Sequence, residues 1–85
     1  MKVNGREVSI GDVVELQFVK GRGNTYFSRS DEGIVILIEK ALPIWVQLEK
    51  TKPESFIIKA KITKILDKYG RIYALCRPVE QLPTG

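Results

Sequence analysis

The feature that most restricts this chain is a two-residue alternation of apolar and polar side chains that recurs along its length. In residues 12–20, Val14, Leu16 and Phe18 fall on one face and Glu15 and Gln17 on the other, the pattern of a half-buried strand. The same period runs through residues 56–66 and 71–77, joined by Asp67-Lys68-Tyr69-Gly70, whose glycine suits the left-handed position of a hairpin turn. Ile34-Val35-Ile36-Leu37-Ile38 is apolar throughout and predicts a strand covered on both faces or nearly so. A shorter strand is predicted over residues 25–29, between Lys20-Gly21-Arg22-Gly23-Asn24 and the turn Ser30-Asp31-Glu32-Gly33. Over residues 41–50, Ile44, Val46 and Leu48 alternate while Pro43 would equally open a short helix; the alternation favours a strand. Five or six short strands without a long amphipathic helix predict an all-β fold, a small antiparallel barrel. A chain of 85 residues has room for one core, so residues 1–85 read as a single domain. Residues 9–77 form its body, the tail 78–85 is loosely held, and residues 1–8 are either loose or an added edge strand.

Residue types narrow the chemistry. The chain has no histidine, which removes the commonest general base, the commonest metal ligand and every Ser-His or Cys-His pair. Cys76 is the only cysteine and reads as a small buried apolar side chain. Asp31 and Glu32 are adjacent carboxylates within a turn composition, so they read as turn residues and not as a catalytic pair. Gly21-Arg22-Gly23 fails as a dinucleotide fingerprint, because Tyr26 stands where the third glycine belongs and no helical period follows. Nothing in the sequence supplies a catalytic residue, a cofactor site or a metal site, and the expectation is a protein that is not an enzyme. The first residues lack the apolar stretch of a signal peptide, and no segment has the length and hydropathy of a membrane span, which predicts a cytoplasmic protein with no membrane partner.

Charge is unevenly distributed. Residues 1–50 carry seven basic and seven acidic side chains, residues 51–85 seven basic and three acidic, so the net charge of +4 lies in the last third. Lys59, Lys61, Lys64, Lys68, Arg71 and Arg77 oppose Asp67 alone, the footprint of a polyanion site. With a three-residue loop that sets Asp67 opposite Arg71, Ile62 faces Cys76 and Leu66 faces Ile72 inside, beside Ile58, Ala60 and Ala74. The outside then presents Lys59, Lys61, Ile65, Tyr73 and Arg77, cations for phosphates beside an aromatic ring for bases. Lys64 points inward in this register unless it lies at the rim or at a bulge. A second patch sets Lys20, Arg22 and Arg29 around Tyr26 and Phe27, which point to opposite faces; Tyr26 is assigned to the outside. Lysines alternating with apolar residues also describe any solvent-facing strand, so the hairpin alone does not decide the matter.

The order of these pieces resembles the TRAM domain, a small OB-like barrel found as stand-alone proteins in archaea and appended to RNA-modifying enzymes. Gly11-Asp12-Val13-Val14-Glu15-Leu16 is similar to its opening strand and Lys20-Gly21-Arg22-Gly23-Asn24 to its glycine-rich first turn. Gly33-Ile34-Val35-Ile36-Leu37-Ile38 with Ala41-Leu42-Pro43 is similar to its glycine, apolar strand and following turn, and Lys59-Ala60-Lys61-Ile62-Thr63-Lys64-Ile65 to its alternating basic strand. The resemblance covers roughly residues 9–77; Thr25 replaces a usual glycine, two extra residues precede Gly33, and residues 44–55 read as an insertion. It implies an RNA-binding module or RNA chaperone, with tRNA or rRNA as target and an RNA-modifying enzyme as a potential partner. Carried over residue by residue, it points to Lys20, Arg22, Tyr26, Arg29, Lys59, Lys61 and Lys64, which join Tyr73 and Arg77 from the hairpin. Two other classes compete: a protein-interaction module using Ile44, Trp45 and Phe56 of the inserted segment, and a DNA-binding architectural protein, for which no groove-reading element or wedge is evident.

Overall fold

Strand β3 (Val13–Lys20) buries Leu16 and Phe18 and turns Glu15 and Gln17 outward, as its alternation requires. The computed structural model describes residues 1–80 and places β3 in a closed barrel with β4 (Tyr26–Arg29), β5 (Val35–Ile38), β6 (Ser55–Lys68) and β7 (Arg71–Pro78). Around the barrel the order is β3-β4-β5-β7-β6, closed by seven residue pairs between β6 and β3 from Val19↔Ser55 to Val13↔Lys61. The expected all-β, OB-like barrel is therefore present, with one correction: β5 and β7 run parallel. Parallel neighbours need a crossover connection, and the chain makes it through a helix and β6 before returning beside β5.

That helix, α1 (Pro43–Thr51), replaces the strand expected over residues 41–50. Pro43 sits in its first turn after an extended Leu42, where a missing N–H costs nothing. Ile44 and Leu48, four residues apart, share the buried face, Trp45 packs beside them, and Val46 is left exposed. Lys52 ends the helix in the left-handed region, its N–H donating to the Leu48 carbonyl at 2.8 Å.

The β6–β7 hairpin forms where expected, but in another register. Lys68 faces Arg71, so the turn is the two-residue Tyr69-Gly70, both with positive φ (55° and 73°), as a type I′ hairpin demands. A bulge lies between Ile62 and Lys64. Up to Ile62, which faces Cys76 as expected, the inward residues are Ile58, Ala60 and Ile62; beyond the bulge the faces exchange. Leu66 pairs with Tyr73 instead of Ile72, Ile65 with Ala74 and Asp67 with Ile72, so the expected pairing of Leu66 is shifted by one, while Ile65 is 39% exposed and lies at the surface as expected. Lys64 thereby points outward.

Both ends of the described chain are held. Strands β1 (Lys2–Val3) and β2 (Arg6–Glu7) form a separate hairpin that inserts Val3 and Val8 into the core, being neither loose nor an added barrel edge. Val79 donates its N–H to the Lys59 carbonyl at 3.0 Å, and the Glu80 carboxylate accepts the Lys59 N–H at 2.9 Å. Residues 78–80 are therefore fixed, while the rest of the expected loose tail, residues 81–85, lies outside the described residues. Among the described residues, no helix is long and apolar enough to cross a membrane.

Candidate nucleic-acid interface

Side chains of directly paired residues share a face, so register alone assembles the outer surface. Val19, Phe27, Leu37, Leu75 and Lys64 form one continuous row across β3, β4, β5, β7 and β6. At about 4.8 Å between strands the row spans about 19 Å. One pleat along, Arg29, Val35, Tyr73 and Leu66 form a second row. On β4, β5 and β7 the residues between the rows, Ser28, Ile36 and Ala74, are buried, so both rows face outward there, while Ile65 between them on β6 is 39% exposed. The result is an apolar and aromatic strip with Arg29 and Lys64 at its margins and Lys68 and Arg71 on the projecting hairpin. The Arg29 guanidinium lies 5.5 Å from the centre of the Phe27 ring.

The residues expected to bind divide into groups. Lys20 and Arg22 flank the β3–β4 loop, which closes through Gly21 N–H to Thr25 O (2.8 Å) and Thr25 Oγ1–H to Arg22 O (2.6 Å). Arg29, Lys64 and Tyr73 belong to the strip. Lys61 stands opposite Arg77, but Arg77 Nε lies 3.5 Å from Glu39 Oε2, which also accepts the Thr63 hydroxyl at 2.6 Å. Lys59 is on the β3 side of β6, paired with Glu15 in register and donating its backbone N–H to the Glu80 carboxylate, so it lies away from the strip. Tyr26 is the one clear correction. It is 3% exposed, its ring packs 5.4 Å from that of Phe56, and its hydroxyl donates to the Pro53 carbonyl at 2.8 Å. Burial, reinforced by nearby Glu54, raises its pKa. A tyrosine can fill a core when a carbonyl receives its hydroxyl, and Phe27 takes the outward place instead.

Sequence reasoning missed Phe27, Val35, Leu37, Leu66 and Leu75 as half-buried residues of the outer face; for Val35 and Leu37 the reason is that an all-apolar β5 looks doubly covered although only Ile36 and Ile38 are fully buried. It also missed Tyr69, 92% exposed at the hairpin tip, with Lys68 Nζ 5.8 Å from its ring centre. Tyr69 has a φ of 55°, a region that a bulky residue enters at a cost and that asparagine or aspartate ordinarily fills before glycine. An exposed aromatic held in this region makes the hairpin tip a candidate contact.

Remaining candidates have structural work. Asp31 accepts the N–H groups of Asn4 (3.1 Å) and Gly5 (2.8 Å), and Glu32 accepts that of Lys2 (2.7 Å), so the carboxylate pair clamps the β1–β2 hairpin. Burial pushes the Cys76 thiol up to about 12, with Glu39 adding to it, and an un-ionised thiol is a poor nucleophile. Ile44 is buried, Phe56 stacks on Phe18 at 5.4 Å, and Trp45 packs on the core while donating its Nε1–H to the Glu39 carbonyl at 2.8 Å. The patch required for an interaction module on this segment is thus mostly turned inward.

The chain defines a small all-β, OB-like closed barrel with one outward apolar strip edged by cations. It matches no family model, no curated protein and no solved structure.

Proposed function

We propose that the protein binds single-stranded RNA on the outer face of β4, β5, β7 and β6, by stacking and phosphate contact and without bond-making chemistry. One observation carries this reading: the two cross-strand rows set Phe27 and Tyr73 among aliphatic side chains, with Arg29 and Lys64 at the margins and Tyr69, Lys68 and Arg71 beside them. Such a surface offers faces on which bases stack and charges that track a backbone. The OB-like architecture agrees, since the faces and loops of these barrels bind oligonucleotides. The resemblance to the TRAM domain supports RNA over DNA and suggests tRNA or rRNA as target, with an RNA-modifying enzyme as partner.

The test is titration of labelled single-stranded RNA, duplex RNA and duplex DNA at two salt concentrations. Single-stranded RNA binds tightest, and its affinity falls with salt. Equal affinity for duplex DNA would instead favour an architectural DNA-binding protein, and no shift with micromolar RNA at low salt would reduce the strip to a solvated surface.

A further inference from the structure

A cleft of about 390 Å³ opens between β5, α1 and the β3–β4 loop, walled by Tyr26, Leu37 and Trp45 with Asn24 and Lys40 also lining it. This volume lies at the small end of ligand sites, which run from about 300 to 1,000 Å³. A neighbouring recess shares Asn24, Tyr26 and Trp45 and adds Lys20, Lys52 and Glu49. Three lysines and one carboxylate line the two recesses of this slot, with Glu54 also near Tyr26, and the half-buried Trp45 ring supplies the accessible aromatic face beside the buried Tyr26. The Trp45 ring is fixed, because its Nε1–H is bound to the Glu39 carbonyl. Leu37 belongs both to the slot and to the first outer row, so the slot is continuous with the strip.

The geometry points to this cleft as the seat of one unpaired base of the bound strand, turned off the sheet at Leu37 and laid against Trp45. This rests on the RNA-binding reading and adds a base-selective element to it. Lys40 and Lys20 hold the flanking phosphates, and the Asn24 carboxamide meets the edge of the base. A carboxamide matches the donor and acceptor of adenine, so adenine is the preferred occupant.

Trp45 is the only tryptophan and reports directly on the slot. The experiment follows Trp45 emission and the anisotropy of an end-labelled strand in one titration, with oligoadenylate, oligouridylate and an oligoadenylate bearing abasic positions. Oligoadenylate quenches Trp45 and binds more tightly than oligouridylate; the abasic strand raises anisotropy with little quenching. Asn24→Ala, a change at an exposed loop position, lowers the preference for adenine about fivefold or more. A rise in anisotropy with unchanged Trp45 emission, or equal quenching by the abasic strand, overturns the slot and leaves the RNA-binding strip standing. No rise in anisotropy with any strand overturns the RNA-binding reading, and the slot with it.

Discussion

Tyr69 and Tyr26 show how one residue type serves opposite ends. For a residue with a Cβ, the left-handed region costs about 1–2 kcal/mol, which asparagine partly avoids. Tyr69→Asn is therefore expected to stabilise the fold by about 1 kcal/mol in urea denaturation while weakening RNA binding. A variant that changes neither would make the tip an ordinary turn. Tyr26→Phe acts on stability instead, removing a hydrogen bond worth about 1 kcal/mol. The folded-state pKa of Tyr26 is raised above the ordinary 10.0, mainly by burial. Its contribution is therefore complete below pH 10.0 and lost as pH rises through the folded-state value, because the unfolded chain gives up the proton first. The urea midpoint followed from neutral to strongly alkaline pH should fall less steeply in Tyr26→Phe than in the parent; parallel curves would place the alkaline loss elsewhere.

At the scale of elements, the N-terminal hairpin is the part with a pH-dependent anchor. Glu32 is held below its ordinary 4.5 chiefly by the Lys2 N–H. A depressed carboxylate pKa stabilises above its unfolded value and loses that effect as pH falls through the folded one, so this clamp weakens below pH 4.5. Amide exchange at Lys2, Asn4 and Gly5 should accelerate there before that of β6 and β7; uniform acceleration would mean that the hairpin and barrel open together. Strands β3, β6 and β7 were legible because Leu16-Gln17-Phe18 and Ala60-Lys61-Ile62 admit only a period of two. Helix α1 was not, since Ile44 and Leu48 lie on one face under either period and only Val46 distinguishes them. The bulge beside Ile62 leaves no mark in composition, yet it is what pairs Lys64 with Leu75 and turns it outward.

For the whole molecule, barrel closure turns a modest charge surplus into a surface with sides. The sequence indicated a basic hairpin, and the fold separates its cations: Lys59 beside carboxylates near β3, Arg77 held by Glu39, and Lys64, Lys68 and Arg71 toward the strip or tip. With Arg29 and Lys61, about five charges are available to phosphates, so log affinity should fall against log salt with a slope of about −3 to −4. Lys64→Ala should flatten that slope; Phe27→Ala and Tyr73→Ala should leave it unchanged while each costs about 1–3 kcal/mol of binding. Lys59→Ala should do little, and a loss equal to that of Lys64→Ala would move the site toward β3. The most direct measurement is mapping of backbone amide shifts as single-stranded RNA is added. The account predicts shifts concentrated at Phe27, Arg29, Val35, Leu37, Lys64, Tyr69, Tyr73 and Leu75, with Glu15, Gln17 and Lys59 quiet. Shifts confined to β3 and the Lys59 region, or none at saturating RNA, would contradict it.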